Sequence, residues 1–190
     1  MIIYRAIKRN IISQSFGQNK SPRYKEADMK GHNGIDWVLK EGDPIYFDCD
    51  CAGIVVENHI DSKGGLGVVI ITDDKDGLFK HRYWHLKQFH AKVGQRVETG
   101  DLLGWGDNTG MSTGHHLHRD MKRLEWWSGG TNYKIQDYKN GYFGGIDYEP
   151  FLENIFVLKK MKGLRLTKTI AEFWIKVVQL KILKWKLFKS

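Results

Sequence analysis

Along the chain, apolar residues gather in short runs separated by turn residues. After the opening segment MIIYRAIKRNIISQSFGQ and a polar stretch of little periodicity up to Gly34, the run IDWVL suits a buried strand. EGDP marks a turn, and PIYFDCDCAGIVVENHI reads as two strands broken at Gly53. KGGLG forms a flexible turn into the β-branched run VVIITD, and GLFKHRYWHL supplies another strand with aromatic residues. AKVGQRVETGDLLGWG carries two glycine turns about one short strand apart, and TGMSTGHHLHRDM ends in a further strand. Strands of ~5 residues spaced by glycine turns predict a mainly β domain, an antiparallel sheet or sandwich with long loops. Glu125 to Gly145 reads as a long structured loop returning to IDYEPFL, and the domain is expected to close near Phe156, giving a unit of residues 1–156.

The period then changes. Leu166, Ile170, Phe173, Trp174 and Val177 follow the spacing of one apolar helical face, with Arg165, Lys168, Thr169, Glu172, Lys176 and Gln179 opposite. This predicts a C-terminal amphipathic helix over roughly 165–180 within a basic tail of residues 157–190.

Charge reinforces that division. The net charge is +8, but residues 157–190 hold ten Lys or Arg and one acid, which leaves 20 basic and 21 acidic residues in the body. A neutral body with a polycationic tail removes the main support for a nucleic-acid binder. A Lys-rich helix with Trp and Phe on its other side fits attachment to an anionic membrane or wall polymer; docking on a partner and packing on its own domain are the competing uses.

At 190 residues the chain is long enough to bury about two-thirds of its unfolded surface, so it folds without covalent staples. Cys49 and Cys51 lie too close in sequence for an unstrained bridge and are expected to be buried free thiols. The opening segment lacks the apolar core of a secretion signal, and no stretch reaches the ~18 to 20 apolar residues of a membrane-spanning helix.

Histidine and aspartate carry the candidate chemistry. A catalytic zinc takes three protein ligands and keeps a position for water. His32 and Asp36 are four apart in GHNGIDW, about 13 Å on a straight strand, so one metal could hold both only if the backbone bends between them. Gly34 is where that bend costs least. His116 and His118 share one face of a strand while His115 and Leu117 turn away. Spacing alone leaves open whether both are ligands or one ligates while the other handles a proton. Singly, each such residue is more often a surface or satisfied core residue; it is the set GHNGIDW, RYWHL and STGHHLH, in this order with strands between, that changes the balance.

GHNGID resembles the HxxxD motif of lysostaphin-type zinc peptidases of family M23, YWHL is similar to their YxHL segment, and STGHHLH to their STGxHLH motif. VGQRVETGDLLGWGDNTG is similar to the VGxxVxxGxxIGxxGxTG region of that family. The resemblance runs from about Ile12 to Asp120, with family-like features as far as Phe151. It implies that His32, Asp36 and His118 bind Zn2+, that His85 and His116 are the catalytic histidines, and that the substrate is peptidoglycan, cut in its stem or cross-bridge peptides. Where the family commonly has an aromatic residue and then Glu after the last histidine, this chain has Arg119 and Asp120, which puts the surroundings of the metal in question rather than the metal. Retention of all five residues argues against the other outcome known in the family, a noncatalytic module that binds peptidoglycan or activates another hydrolase. The aromatics Trp84, Trp105, Trp126, Trp127, Tyr133 and Tyr142 are candidates to wall a groove, with core or loop packing as their other use. Action at the bacterial cell wall without a recognisable secretion signal calls for another route, such as delivery in a phage particle or release on lysis.

Overall fold

A computed structural model of the chain describes residues 1–127 and 132–157; the helix expected over roughly 165–180 lies outside the described residues. The strands follow in the order β1 (Ile3–Arg5), β2 (Ile12–Gln14), β3 (Ile35–Val38), β4 (Pro44–Tyr46), β5 (Gly53–Asp61), β6 (Gly65–Asp74), β7 (Gly77–Phe89), β8 (Arg96–Val97), β9 (Leu102–Gly106), β10 (His116–Trp127), β11 (Asn132–Ile135) and β12 (Leu152–Phe156), with a short α-helix, α1 (Arg23–Glu26), and a 3-10 turn at Glu149–Phe151. Ten of these strands form a single sheet in the order β2-β3-β10-β7-β6-β5-β8, with β11 on β10 and with β9 joining β7 to β4. Every pair in it is antiparallel. The mainly β, antiparallel architecture read from the turn spacing is the one observed.

Alternation along the strands divides the sheet into two faces. Leu117 and Met121 of β10, Phe79 and Tyr83 of β7, Ile35 and Trp37 of β3, and Val68 and Ile70 of β6 all turn to one side. There they meet Ile3, Ile7, Phe47 and Tyr148 in one buried core. The opposite face of β3, β10 and β7 carries Asp36, His118 and Trp84 in one row.

The structure departs from the sequence reading in three places. β7 and β10 have 13 and 12 residues rather than the ~5 expected, because no glycine or proline interrupts β7 after Gly77 or β10 anywhere along its length. The segment expected to be a loop from Glu125 onward begins instead as a hairpin arm: β10 runs to Trp127 and pairs with β11. Trp126 lies opposite Tyr133, and Glu125 opposite Lys134 with an ion pair at 3.0 Å, both favourable cross-strand pairs. Finally, β1 and β12, too short and too far apart in sequence to signal their partnership, form a parallel pair. Cys49 and Cys51 are free thiols as expected, Cys49 buried and Cys51 only partly so.

Because Arg119 follows the alternation of β10, it points into the core, where it is only 1% exposed. Asp48 meets it there: Arg119 Nε and Nη2 donate to the two carboxylate oxygens at 3.1 and 3.0 Å, and the Tyr83 hydroxyl donates to the same carboxylate at 2.6 Å. The guanidinium lies 4.3 Å from the centre of the Tyr148 ring, and its Nη2 also donates to His81 Nδ1 at 3.1 Å. Removing one partner of such a pair leaves the other buried and uncompensated. Asp48→Asn is accordingly expected to lower stability by about 3–5 kcal/mol, read as a shift in the urea unfolding midpoint; a change within about 0.5 kcal/mol would show that the pair contributes nothing specific.

Candidate metal centre

His32 and Asp36 are brought together by a bend at Asn33 and Gly34 that leads into β3. Gly34 does not adopt a left-handed conformation; what it supplies is room. A Cβ there would stand 2.6 Å from the Arg119 carbonyl oxygen and 2.9 Å from His118 Cε1, too close for any side chain. β3 then pairs with β10 in a register that sets Asp36 opposite His118.

Three donor atoms converge as a result. His32 Nε2 lies 3.0 Å from His118 Nδ1, Asp36 Oδ1 lies 3.1 Å from His32 Nε2, and the same oxygen lies 2.9 Å from His118 Nδ1. A tetrahedral zinc with bonds of about 2.0–2.1 Å has ligand-to-ligand edges of about 3.3 Å. Two imidazole nitrogens and one carboxylate oxygen in a triangle of sides 2.9–3.1 Å therefore fit such an ion, as one face of the tetrahedron with the fourth corner left open. A second group able to offer ligand atoms, Glu41, Asp107 and His115, lies toward the surface, where Lys87 already pairs with Glu41.

His85 and His116 stand beside this triangle. His116 Nε2 is 3.6 Å from Asp36 Oδ2, and the His85 ring centre is 4.6 Å from that of His116 and 6.2 Å from that of His118. Strict alternation from Tyr83 would send His85 into the core. It is redirected by a β-bulge: on β6 the step from Leu66 to Val68 faces the longer step from Leu86 to Tyr83 on β7, and His85 takes φ +64°. The Trp84 ring beside it covers Gly64 and Gly67, whose added Cβ atoms would reach it at 2.6 and 2.2 Å. The KGGLG segment thus serves close approach to an indole as well as turning.

Each of the four imidazoles has its outer nitrogen tied to a fixed acceptor. His32 Nδ1 donates to the Ser15 carbonyl at 3.3 Å, His85 Nδ1 to the Thr109 carbonyl at 2.6 Å, and His116 Nδ1 to the Gly114 carbonyl at 2.8 Å. His118 Nε2 faces the Asp120 carboxylate at 3.4 Å. The inner nitrogens are left to act in the cleft, the arrangement by which outer partners set imidazole tautomer and orientation. Asp120, where the chain departs from the family pattern, is thus placed behind His118.

Electrostatics follow from this wiring. Burial would raise the Asp36 carboxyl, but hydrogen bonds from His118 and His32 hold it well below the usual carboxylate range. Burial alone would depress His118; Asp120 and Asp36 raise it to about 9. His85 is pushed down to about 4, first by burial and then by the nearby His116, so it stays neutral at physiological pH.

The centre opens into a cleft of about 520 Å³ walled in part by Tyr24, Trp84 and Phe143. Of the aromatics singled out from the sequence, Trp84 lines this cleft; Trp126, Trp127 and Tyr133 are exposed on the hairpin, and Tyr142 packs on Phe16. Tyr24 and Phe143, whose segments showed no periodicity, were not legible as wall residues.

Residues 30–132, more than half of the chain, match the description of peptidase family M23. The chain belongs to this family. Among its relatives, the glycyl-glycine endopeptidase ALE-1 of Staphylococcus capitis is 39% identical over 87 residues, which are 46% of this chain and 23% of that protein. The peptidoglycan DD-endopeptidase ShyA of Vibrio cholerae is 36% identical over 90 residues, 47% of this chain and 20% of that protein. The matched stretch is thus less than a quarter of either relative's length. The M23 fold is also that of the catalytic domain of lysostaphin from Staphylococcus simulans, with a TM-score of 0.56 at 24% identity over 74% of this chain and 90% of that one. LytU superposes with a TM-score of 0.54 at 30% identity, covering 74% of this chain and 82% of that one.

With His118 raised to about 9 by Asp120 and Asp36, a metal held on its Nδ1 at neutral pH would displace a proton. Zinc affinity is expected to rise about tenfold per pH unit up to that value and to level off above it. Competition with a chromophoric chelator across this range checks the slope, and a pH-independent affinity would contradict it.

Proposed function

We propose that this chain is a zinc-dependent endopeptidase that hydrolyses peptide bonds in the stem or cross-bridge peptides of peptidoglycan. The observation that carries the proposal is the convergence of the inner nitrogens of His32, His118 and His116 on the Asp36 carboxylate with the His85 ring beside them, each of the four rings oriented by an outer acceptor of its own. His32, Asp36 and His118 would hold the metal, with His85 and His116 as catalytic residues. The naming of relatives as peptidoglycan and glycyl-glycine endopeptidases supports the substrate class.

A zinc ion on these ligands would supply Lewis-acid polarisation of the scissile carbonyl and acidify the attacking water. The remaining work falls to the two other histidines. With its Nδ1 proton committed to Gly114, His116 presents the Nε2 lone pair beside the ligand cluster. It takes the proton of the water as that water adds to the carbonyl carbon, and returns it to the amine nitrogen as the C–N bond breaks. His85, its Nδ1 proton likewise committed to Thr109, presents Nε2 as an acceptor that orients the nucleophile and the developing tetrahedral centre. Trp84, Tyr24 and Phe143 form walls along which an extended peptide can lie.

The test uses purified peptidoglycan. The protein should carry one zinc per chain and release free amino groups from the wall, with activity lost to a chelator and restored by zinc. His116→Ala is expected to keep its zinc and lose about 100-fold or more in turnover, whereas His118→Ala loses zinc itself. Elemental analysis and amine release separate the two. A zinc-loaded protein that binds peptidoglycan but releases no amine would replace the enzyme with a noncatalytic binding or activating module.

A further inference from the structure

β7 turns one more functional side chain toward the cleft. Arg82 lies opposite Asp120 on β10, as Trp84 lies opposite His118, so the four share the face that bears the metal centre. Asp120 is fully buried, and both its oxygens accept from Arg82 Nε, at 2.8 and 2.9 Å. The guanidinium carbon sits 5.4 Å from the centre of the Trp84 ring. One edge of the guanidinium is therefore fixed. Its two Nη groups have no hydrogen-bond or ion-pair partner among the described residues, and the side chain is 20% exposed where it lines the cleft.

An arginine held at Nε and open at Nη presents the planar fork that takes a carboxylate through two parallel hydrogen bonds. The surrounding charge favours such an anion. Lys80 and Lys122 form the next cross-strand pair on the same face, so three cations border the single carboxylate of Asp120, which His118 also shares. Of the other acids that line the cleft, Asp36 belongs to the ligand cluster, and Asp61 is engaged by His59 and by the backbone N–H groups of Lys63 and Gly64. Glu57, whose charge also reaches Lys80, is paired with His59. From His118 to Asp120 is two strand residues, about 7 Å, or one to two residues of an extended peptide.

We propose that Arg82 is a specificity residue: it binds a carboxylate carried by the substrate peptide one or two residues from the scissile bond, so that the enzyme prefers acidic wall peptides to neutral ones such as polyglycine. This rests on the peptidase function proposed above. The test compares cross-linked peptides released from purified peptidoglycan with the same peptides after their carboxylates have been converted to amides by carbodiimide and ammonia. Zinc content is measured alongside kcat and KM.

Amidation is expected to lower kcat/KM of the wild-type protein at least about tenfold, mainly through KM. Arg82→Gln should lower kcat/KM on the native peptides by a similar factor and remove most of the difference between the two forms, while zinc stays at one per chain. Arg82→Lys should keep part of the preference. Equal cleavage of native and amidated peptides by the wild type would overturn the role of Arg82 while leaving the peptidase intact; so would an Arg82→Gln protein that slows both forms equally. Cleavage of neither form by zinc-loaded wild type would remove the peptidase function and this inference together. If Arg82→Gln does not fold, the wild-type comparison decides alone.

Discussion

Strand alternation along β10 governs both the interior and the cleft. His116, His118 and Asp120 face one way, and Leu117, Arg119 and Met121 the other. A slip of one residue against β3 or β7 would exchange those sets, sending imidazoles into the core and apolar residues into the cleft. The buried pair of Arg119 and Asp48 works against such a slip, because that guanidinium finds its carboxylate in one register alone. The same register sets His118 opposite both Asp36 and Trp84. Core packing and the placement of the candidate ligands are thus two results of one pairing.

The polar wiring around the cleft depends on this frame in turn. Three of the four imidazoles are oriented by backbone carbonyls, at Ser15, Thr109 and Gly114, and the fourth by a buried carboxylate. Backbone acceptors are as rigid as the loops that bear them. The Thr109 loop is pinned by its own side chain, which donates to the Leu86 carbonyl and accepts from the Leu66 N–H. Rings held in this way have little freedom left to lose, which is how a site gains from preorganisation.

What was legible beforehand follows from how locally it is encoded. The HLH spacing placed His116 and His118 on one face, and the need for a bend named Gly34, both from neighbours in sequence. The close approach that makes Gly34 necessary involves Arg119 and His118, which are distant in sequence, so the spacing found the position without the reason. The partnership of β1 with β12 was hidden because strands of three and five residues carry little periodic signal. β11 was hidden because aromatic residues among glycines read equally as loop. The acceptors of Thr109 and Gly114 were beyond reach in principle, since every residue has a carbonyl. Asp120 was visible only as a departure from a pattern, and its place behind His118 emerged from the fold.

The bulge at His85 has a consequence for how such a domain changes over generations. Its left-handed backbone suits glycine better than histidine, by about 1 kcal/mol. A glycine there would leave the sheet intact and relieve the strain while emptying part of the cleft of its imidazole. Selection for folding alone would therefore favour a scaffold of the same shape with glycine at this place, and under the proposed function it is the chemistry of the imidazole that opposes the exchange.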